Sequence, residues 1–293
     1  MNAPQAGLLS DSKRLHLNHG PIDLIIEAFG EAEEVQVAYV QASVRFQAIL
    51  TELVEELPDL RSAASLRPRA LRGTTARRME AAVFPLANEN FITPMAAVAG
   101  SVADEILAAM LAGRKLDKAY VNNGGDSALH LAAGQSLKLA VAGTGNGFAD
   151  RIVIHAEDAV RGVATSGWRG RSFSLGIADA VTVLARSGAA ADAAATIIAN
   201  AVDLPGHKAI HREPAHSLAP DSDLGERLVT TGVGPLTARE VAAALASGLA
   251  EAGKLKRRGL IEAAALFLND HVRMCGDVLA PRLKFFEGEL VHG

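Results

Sequence analysis

The order in which short apolar runs and small-residue helical stretches follow one another constrains this chain more than any single motif does. LHL and IDLIIEAF flank the turn Asn18-His19-Gly20 and read as two short strands. Residues 32–56 then lose Gly and Pro entirely, and Phe46, Ile49, Leu50, Leu53 and Val54 recur at spacings of three and four, which predicts a long helix ending before Pro58. Further helices are predicted at 96–111, 190–201, 238–252 and 259–267, where Ala, Leu and Glu dominate. Strands are predicted at 119–121, 128–131, 137–141, 152–154, 162–166 and 181–185, and 205–220, with its Pro and His residues, reads as a loop. Strands and helices alternate without a regular βαβ repeat, so the expected class is α+β: one compact domain over 15–293, mixed β-sheets covered by helices, behind a flexible tail at 1–14.

Composition narrows the function classes. Hydrophobic residues make up 49% of the chain and aromatic ones 4%, a balance that excludes disorder and leaves Ala, Val, Leu and Gly to build the core. With 29 Lys+Arg against 33 Asp+Glu the net charge is −4, which argues against a basic nucleic-acid footprint. The basic stretch 61–78 lacks interleaved aromatics and reads as a solvated connector. No window offers about 20 uninterrupted apolar residues, so no membrane partner is expected. The opening segment shows no export signal, and a cytoplasmic location is expected. Cys275, the single cysteine, reads as a packing residue.

Asp192 and Thr196 stand four apart in an otherwise small, apolar helix, so a carboxylate and a hydroxyl share one face. Oxygen donors of this kind suit Mg²⁺; the same residues also serve as a helix-dipole acid and a back-bonding threonine. Asn122-Asn123-Gly124-Gly125-Asp126 separates two strands, and adjacent glycines permit either a phosphate cradle or a plain hairpin turn. In Thr165-Ser166-Gly167-Trp168, followed by Arg169 and Arg171, small hydroxyls lie beside the sole tryptophan and two guanidinium groups, a set that fits an anionic or planar ligand. Asp179 precedes a Val-rich strand and needs a partner if buried. His207, His211 and His216 are spaced for a metal only on a helix, which Pro205 and Pro214 argue against. Asp221-Ser222-Asp223-Leu224-Gly225 reads as an Asx turn.

Taken in order, TPMAAVAGSVADEIL (93–107), YVNNGGDSALHL (120–131), GVATSGWRGRSFSLGIADAVTVLA (162–185), ADAAATIIANAV (191–202) and the stretch 211–248 resemble the ApbE family of flavin transferases, most closely its UPF0280 branch. That resemblance implies an enzyme that splits FAD and moves FMN to a protein hydroxyl with Mg²⁺. It implies metal ligands at Asp192, Thr196 and a carbonyl near Val98, with Asp104 ending the family's first motif; Asp104 and Asp179 are the catalytic residues expected. Gly124, Gly125 and Asp126 match the nucleotide-contacting turn, and Thr165, Ser166 and Gly167 the segment near the pyrophosphate. Ala99 and Ser101 stand where the family has Lys and Tyr, and its Asp-Pro…Thr-Gly segment is missing, which leaves Trp168 as the platform for a planar ligand. Besides flavin transfer, two readings stay open: a non-flavin enzyme of pterin or one-carbon-cofactor biosynthesis, and a non-catalytic ligand-binding homo-oligomer.

Overall fold

The computed structural model describes residues 3–140 and 151–276. The chain opens with β1 (Gln5–Leu8), β2 (Leu15–His19) and β3 (Ile22–Phe29), then turns through α1 (Ala32–Glu55), α2 (Leu57–Leu60), α3 (Thr74–Val83) and α4 (Val98–Leu111). A central run of strands follows: β4 (Lys118–Asn123), β5 (Asp126–Leu131), β6 (Ser136–Ala140), β7 (Arg151–His155), β8 (Gly162–Ser166) and β9 (Ala180–Ala185). The last third holds α5 (Gly188–Ala201), β10 (Ile210–Pro214), α6 (Ala215–Leu218), β11 (Leu228–Val233), α7 (Ala238–Arg257), β12 (Ala263–Leu268) and β13 (His271–Cys275).

Nine strands form one sheet in the order β1-β2-β3-β4-β5-β8-β9-β12-β13, and every described pair is antiparallel. Helices lie on one face of it: α1 and α4 cover β2–β4 through Phe46, Ile49, Leu53, Ile106 and Met110, while α5 and α7 cover β8, β9 and β12. The β6–β7 hairpin closes the opposite face through Leu137, Ile152 and Ile154. The α+β expectation therefore holds. Helix ends follow the local chemistry: Thr237 and Glu240 make a reciprocal capping box at α7, whose last turn carries Lys254, Lys256 and Arg257, and Ser187 accepts the Ala190 N–H at α5. Among the described residues one segment, Pro94–Leu111, is apolar enough to cross a membrane; 56% of it is buried inside the fold, as a core helix is.

Four sequence expectations change. Residues 5–8, read as part of a loose tail, form edge strand β1, whose exposed side chains gave no apolar signal; its ladder with β2 makes the strand, and the Tyr39 hydroxyl donates to Lys13 O at 2.6 Å to hold the hairpin. The stretch 259–267, read as a helix from its Ala and Leu, overlaps β12, which begins at Ala263. Ala264, Leu266 and Leu268 enter the helix-side core and Ala263, Ala265 and Phe267 the opposite one, so a strand buried on both faces loses the alternation that marks a strand. The loop read at 205–220 contains β10 and α6, ordered by pairing with β11. The basic connector at 61–78 ends in α3, and its Arg69 forms an ion pair with buried Glu80 at 2.8 Å. Val141, the last residue of a predicted strand, lies outside the described residues, as do 277–293 of the predicted domain.

Candidate functional site

Two helix N-termini meet at the centre of the molecule. A Cβ on Gly100 would lie 2.2 Å from the Gly188 carbonyl oxygen, so α4 and α5 approach closely only because both positions are glycine. The first-turn amides left unpaired at each helix start are taken up by a carboxylate of the other helix. Asp104 accepts the Gly188 and Ala189 N–H groups at 2.9 Å each, and Asp192 accepts the Gly100 N–H at 3.0 Å. The β4–β5 hairpin is tied to the same point: the Asn123 side-chain amide donates to Ala99 O at 3.1 Å, and Gly124 and Gly125 take positive φ values of 64° and 120° to close the turn. Asp126 then accepts the Thr165 N–H at 3.0 Å, joining the hairpin to β8, and the Thr165 hydroxyl pairs with that of Thr182 at 2.8 Å.

This junction floors a cleft of about 1340 Å³, larger than the roughly 300–1,000 Å³ usual for small-molecule sites. Its polar half presents Asn123, Asp126, Thr165, Ser166, Asp192 and Thr196, with Arg169, Arg171 and Asp179 also on the wall. Leu50, Leu53, Met79, Met95, Val98 and Val102 make the apolar half. Burial pushes the Asp126 carboxyl up to about 7, and burial, then the neighbouring Asp126 charge, hold Asp192 well above the carboxylate range. Two acids that resist ionising beside each other favour a cation between or near them. Among the described residues no group of three or more His, Cys, Asp or Glu side chains gathers as a metal cluster. The groups offered are two carboxylates and the Thr196 hydroxyl, an all-oxygen set whose chemistry fits Mg²⁺ retaining several waters better than it fits zinc.

Most of the residues expected from sequence converge here: Asn123, Gly124, Asp126, Thr165, Ser166, Gly167, Arg171, Asp179, Asp192 and Thr196 all line the cleft. Gly125, Asp104 and Trp168 do not. Asp104 spends both oxygens on the start of α5, and burial raises its pKa. The platform expected at Trp168 is taken by a neighbour: the Arg169 guanidinium lies 4.8 Å from the ring centroid, and the indole N–H donates to Asp179 at 3.3 Å. Asp179 also accepts Arg169 Nε at 2.5 Å and the Asn269 N–H at 2.7 Å. Ser101 is fully buried in α4, away from the cleft, whereas Ala99 lines it. The three histidines separate: His207 pairs with Glu240, His216 with Glu226, and His211 sits on β10 opposite Gly232. Sequence reading missed the aliphatic wall from α1, α3 and α4, the Asn269–Asp270 turn, and Asp223, which accepts the Thr93 hydroxyl at the cleft rim. Only tertiary packing reveals these; the α1 stripe itself was visible as a core face.

An antiparallel α+β domain thus sets the Asp126 and Asp192 carboxylates beside a glycine hairpin on the wall of a cleft large enough for a cofactor-sized molecule. The family model described as "AbpE bacteria" matches residues 6–274. The chain belongs to this ApbE-like family, in its UPF0280 branch. A UPF0280 protein of Methanothrix thermoacetophila is 40% identical over 113 residues, 38% of this chain and 46% of that protein. Another, from Archaeoglobus fulgidus, is 34% identical over 139 residues, 47% of this chain and 56% of that protein. The matched stretch thus spans about half the length of these curated relatives. Among solved structures, the apo form of the Pseudomonas stutzeri flavinyl transferase ApbE aligns over 97% of this chain and 98% of its own, with a TM-score of 0.43 and 13% identity.

Proposed function

We propose that this protein is an enzyme acting on a nucleotide-like, phosphate-bearing cofactor with the help of a divalent cation, and that FAD cleavage is the specific form of the reaction. One observation carries the reading: Asp126 and Asp192, half-buried and close enough for each to disfavour the other's charge, line a cleft that also presents glycine-hairpin and hydroxyl groups. Asp192, Thr196 and Asp126, with the Val98 carbonyl, would hold Mg²⁺. The ion would supply neutralisation of the charge that builds on a diphosphate. The hairpin at Asn123–Gly124 and the Thr165–Gly167 segment orient the phosphates, while Leu50, Leu53 and Met95 receive the apolar end of the ligand and exclude water. In the transfer reaction a protein hydroxyl oxygen bonds the FMN-side phosphorus, the bond to the AMP phosphate breaks, AMP leaves and the hydroxyl proton is lost. Asp104 and Asp179 act as positioning residues, through the start of α5 and through Arg169 and Asn269.

The test is incubation with FAD and Mg²⁺, reading AMP release by chromatography and bound flavin by its absorbance. We expect AMP from the wild type and none from Asp192→Asn; Mg²⁺ alone should raise the wild-type melting temperature and leave that of the variant unmoved. Metal stabilisation without flavin binding would refute the flavin form and keep the cation site. A specific observation supports a second reading in that event. Ala99 contributes neither charge nor ring to the cleft and Ser101 is buried, so a pterin- or one-carbon-type cofactor meets the same floor without the family's Lys and Tyr. Saturable binding with no turnover of any such ligand would favour the non-catalytic oligomer.

A further inference from the structure

Of the cleft-lining arginines, Arg61 pairs with Asp221, while Arg169 is held by Asp179 and Trp168, both within or beside the cleft itself. Its side chain is 61% exposed, yet Nε donates to Asp179 at 2.5 Å and the guanidinium covers the Trp168 ring. Among the described residues its terminal nitrogens meet no other acceptor. The turn that carries it is fixed. Gly170 N–H donates to Gly167 O, and a Cβ on Gly167 would fall 2.5 Å from the Asp179 carbonyl oxygen, so the turn lies directly against the backbone of the residue that pairs with Arg169. Asp179 meanwhile keeps its other oxygen on the Asn269 N–H of the β12–β13 turn, which does not depend on Arg169. Arg169 is therefore free to leave without dismantling the wall behind it. An ion pair this exposed contributes little, whereas a guanidinium fork bonds a phosphate through two parallel N–H groups.

We propose that Arg169 is the diphosphate-anchoring residue of the cleft, stored on Asp179 and Trp168 in the empty site and released to the ligand's diphosphate on binding, so that Asp179 competes with the ligand for it. This inference rests on the nucleotide reading above and adds a specificity element to it: ligands bearing a diphosphate gain over those bearing none. The competition gives the two partners opposite signs, which a shared structural role does not.

The test uses the full chain without metal and inorganic pyrophosphate as the probe, with affinity read by titration calorimetry. Arg169→Gln is expected to bind about tenfold more weakly, Arg169→Lys to fall between it and the wild type, and Asp179→Asn to bind about threefold more tightly. Trp168 is the chain's single tryptophan, so in the wild type its emission should shift along the same saturation curve as the guanidinium leaves the ring. Unchanged affinity in Arg169→Gln overturns the proposal, and so does weaker binding in Asp179→Asn when that variant melts cooperatively. If Asp179→Asn does not fold, an emission shift absent from the wild type overturns it instead. FAD binding in Mg²⁺, measured separately by equilibrium dialysis, keeps the two claims apart. Retained FAD binding with no pyrophosphate response sinks only the Arg169 anchor, and loss of both sinks the nucleotide reading as well.

Discussion

Asp126→Asn should make the metal-free protein more stable at pH 8 and nearly indifferent at low pH. The Asp126 carboxyl titrates at 3.8 in an unfolded chain and is pushed up to about 7 in the fold because burial strips its charged form of water. A carboxyl with a raised native pKa favours the folded state most fully below pH 3.8. That contribution drains away between pH 4 and 7 and is gone above 7. The interval corresponds to a ceiling of about 4 kcal/mol at pH 8 and below about 2 kcal/mol at pH 5. The Asn side-chain oxygen can still accept the Thr165 N–H, so the hairpin tie survives the substitution. At roughly 2 °C per kcal/mol for a chain of this size, calorimetry in EDTA should show the variant melting up to about 8 °C above wild type at pH 8 and much less at pH 5. Saturating Mg²⁺ should reverse the order, because only the wild type then has a counter-ion for its charge. A melting difference that is the same at both pH values, or a variant less stable at pH 8, would refute the idea that this carboxylate is held ionised at a cost.

Two further substitutions probe the helix junction. Asp104→Ala should destabilise by about 1–3 kcal/mol, read from urea midpoints, since it strands the Gly188 and Ala189 amides; Asp104→Asn, which keeps one acceptor, should lose less. Gly100→Ala should cost about 1–3 kcal/mol or more, because its Cβ meets backbone rather than a yielding side chain. It should also weaken Mg²⁺ binding, since the N–H that orients Asp192 moves with it, and titration of the metal into the variant checks this.

Much of the site was legible in the sequence because its polar residues stand out against small, apolar surroundings: Asp192 in an alanine helix, Asp126 after paired glycines, Thr165–Gly167 at a strand end. What the sequence concealed falls into two kinds. Elements whose environment overrides their propensity were misread, β12 above all, whose six buried residues feed two cores at once. Other features turn on contacts that only the fold makes: Asp104 accepts two amides at the start of α5, 84 residues away, and the Trp168 ring lies under the guanidinium of its neighbour Arg169. The α5 amides leave no trace in the pattern around Asp104, and the adjacency of Trp168 and Arg169 does not by itself show that the two stack.

The same physical condition explains both the legible and the concealed parts. α4 and α5 come close enough to share carboxylates only because Gly100 and Gly188 offer no side chain there, and the alanines of α5 keep the rest of that interface thin. Close approach brings Asp104 and Asp192 each onto the other helix's amides, and it draws the Asn123–Asp126 hairpin down to the Ala99 carbonyl. Asp192 thereby lies half-buried beside Asp126, and each raises the cost of the other's charge, a cost that a bound cation would offset. A core built from large aromatics would have held these helices apart and left the two carboxylates in water, each at its ordinary pKa and without need of a partner. The scarcity of aromatic residues, 4% of the chain, is thus a condition of the site as well as of the core.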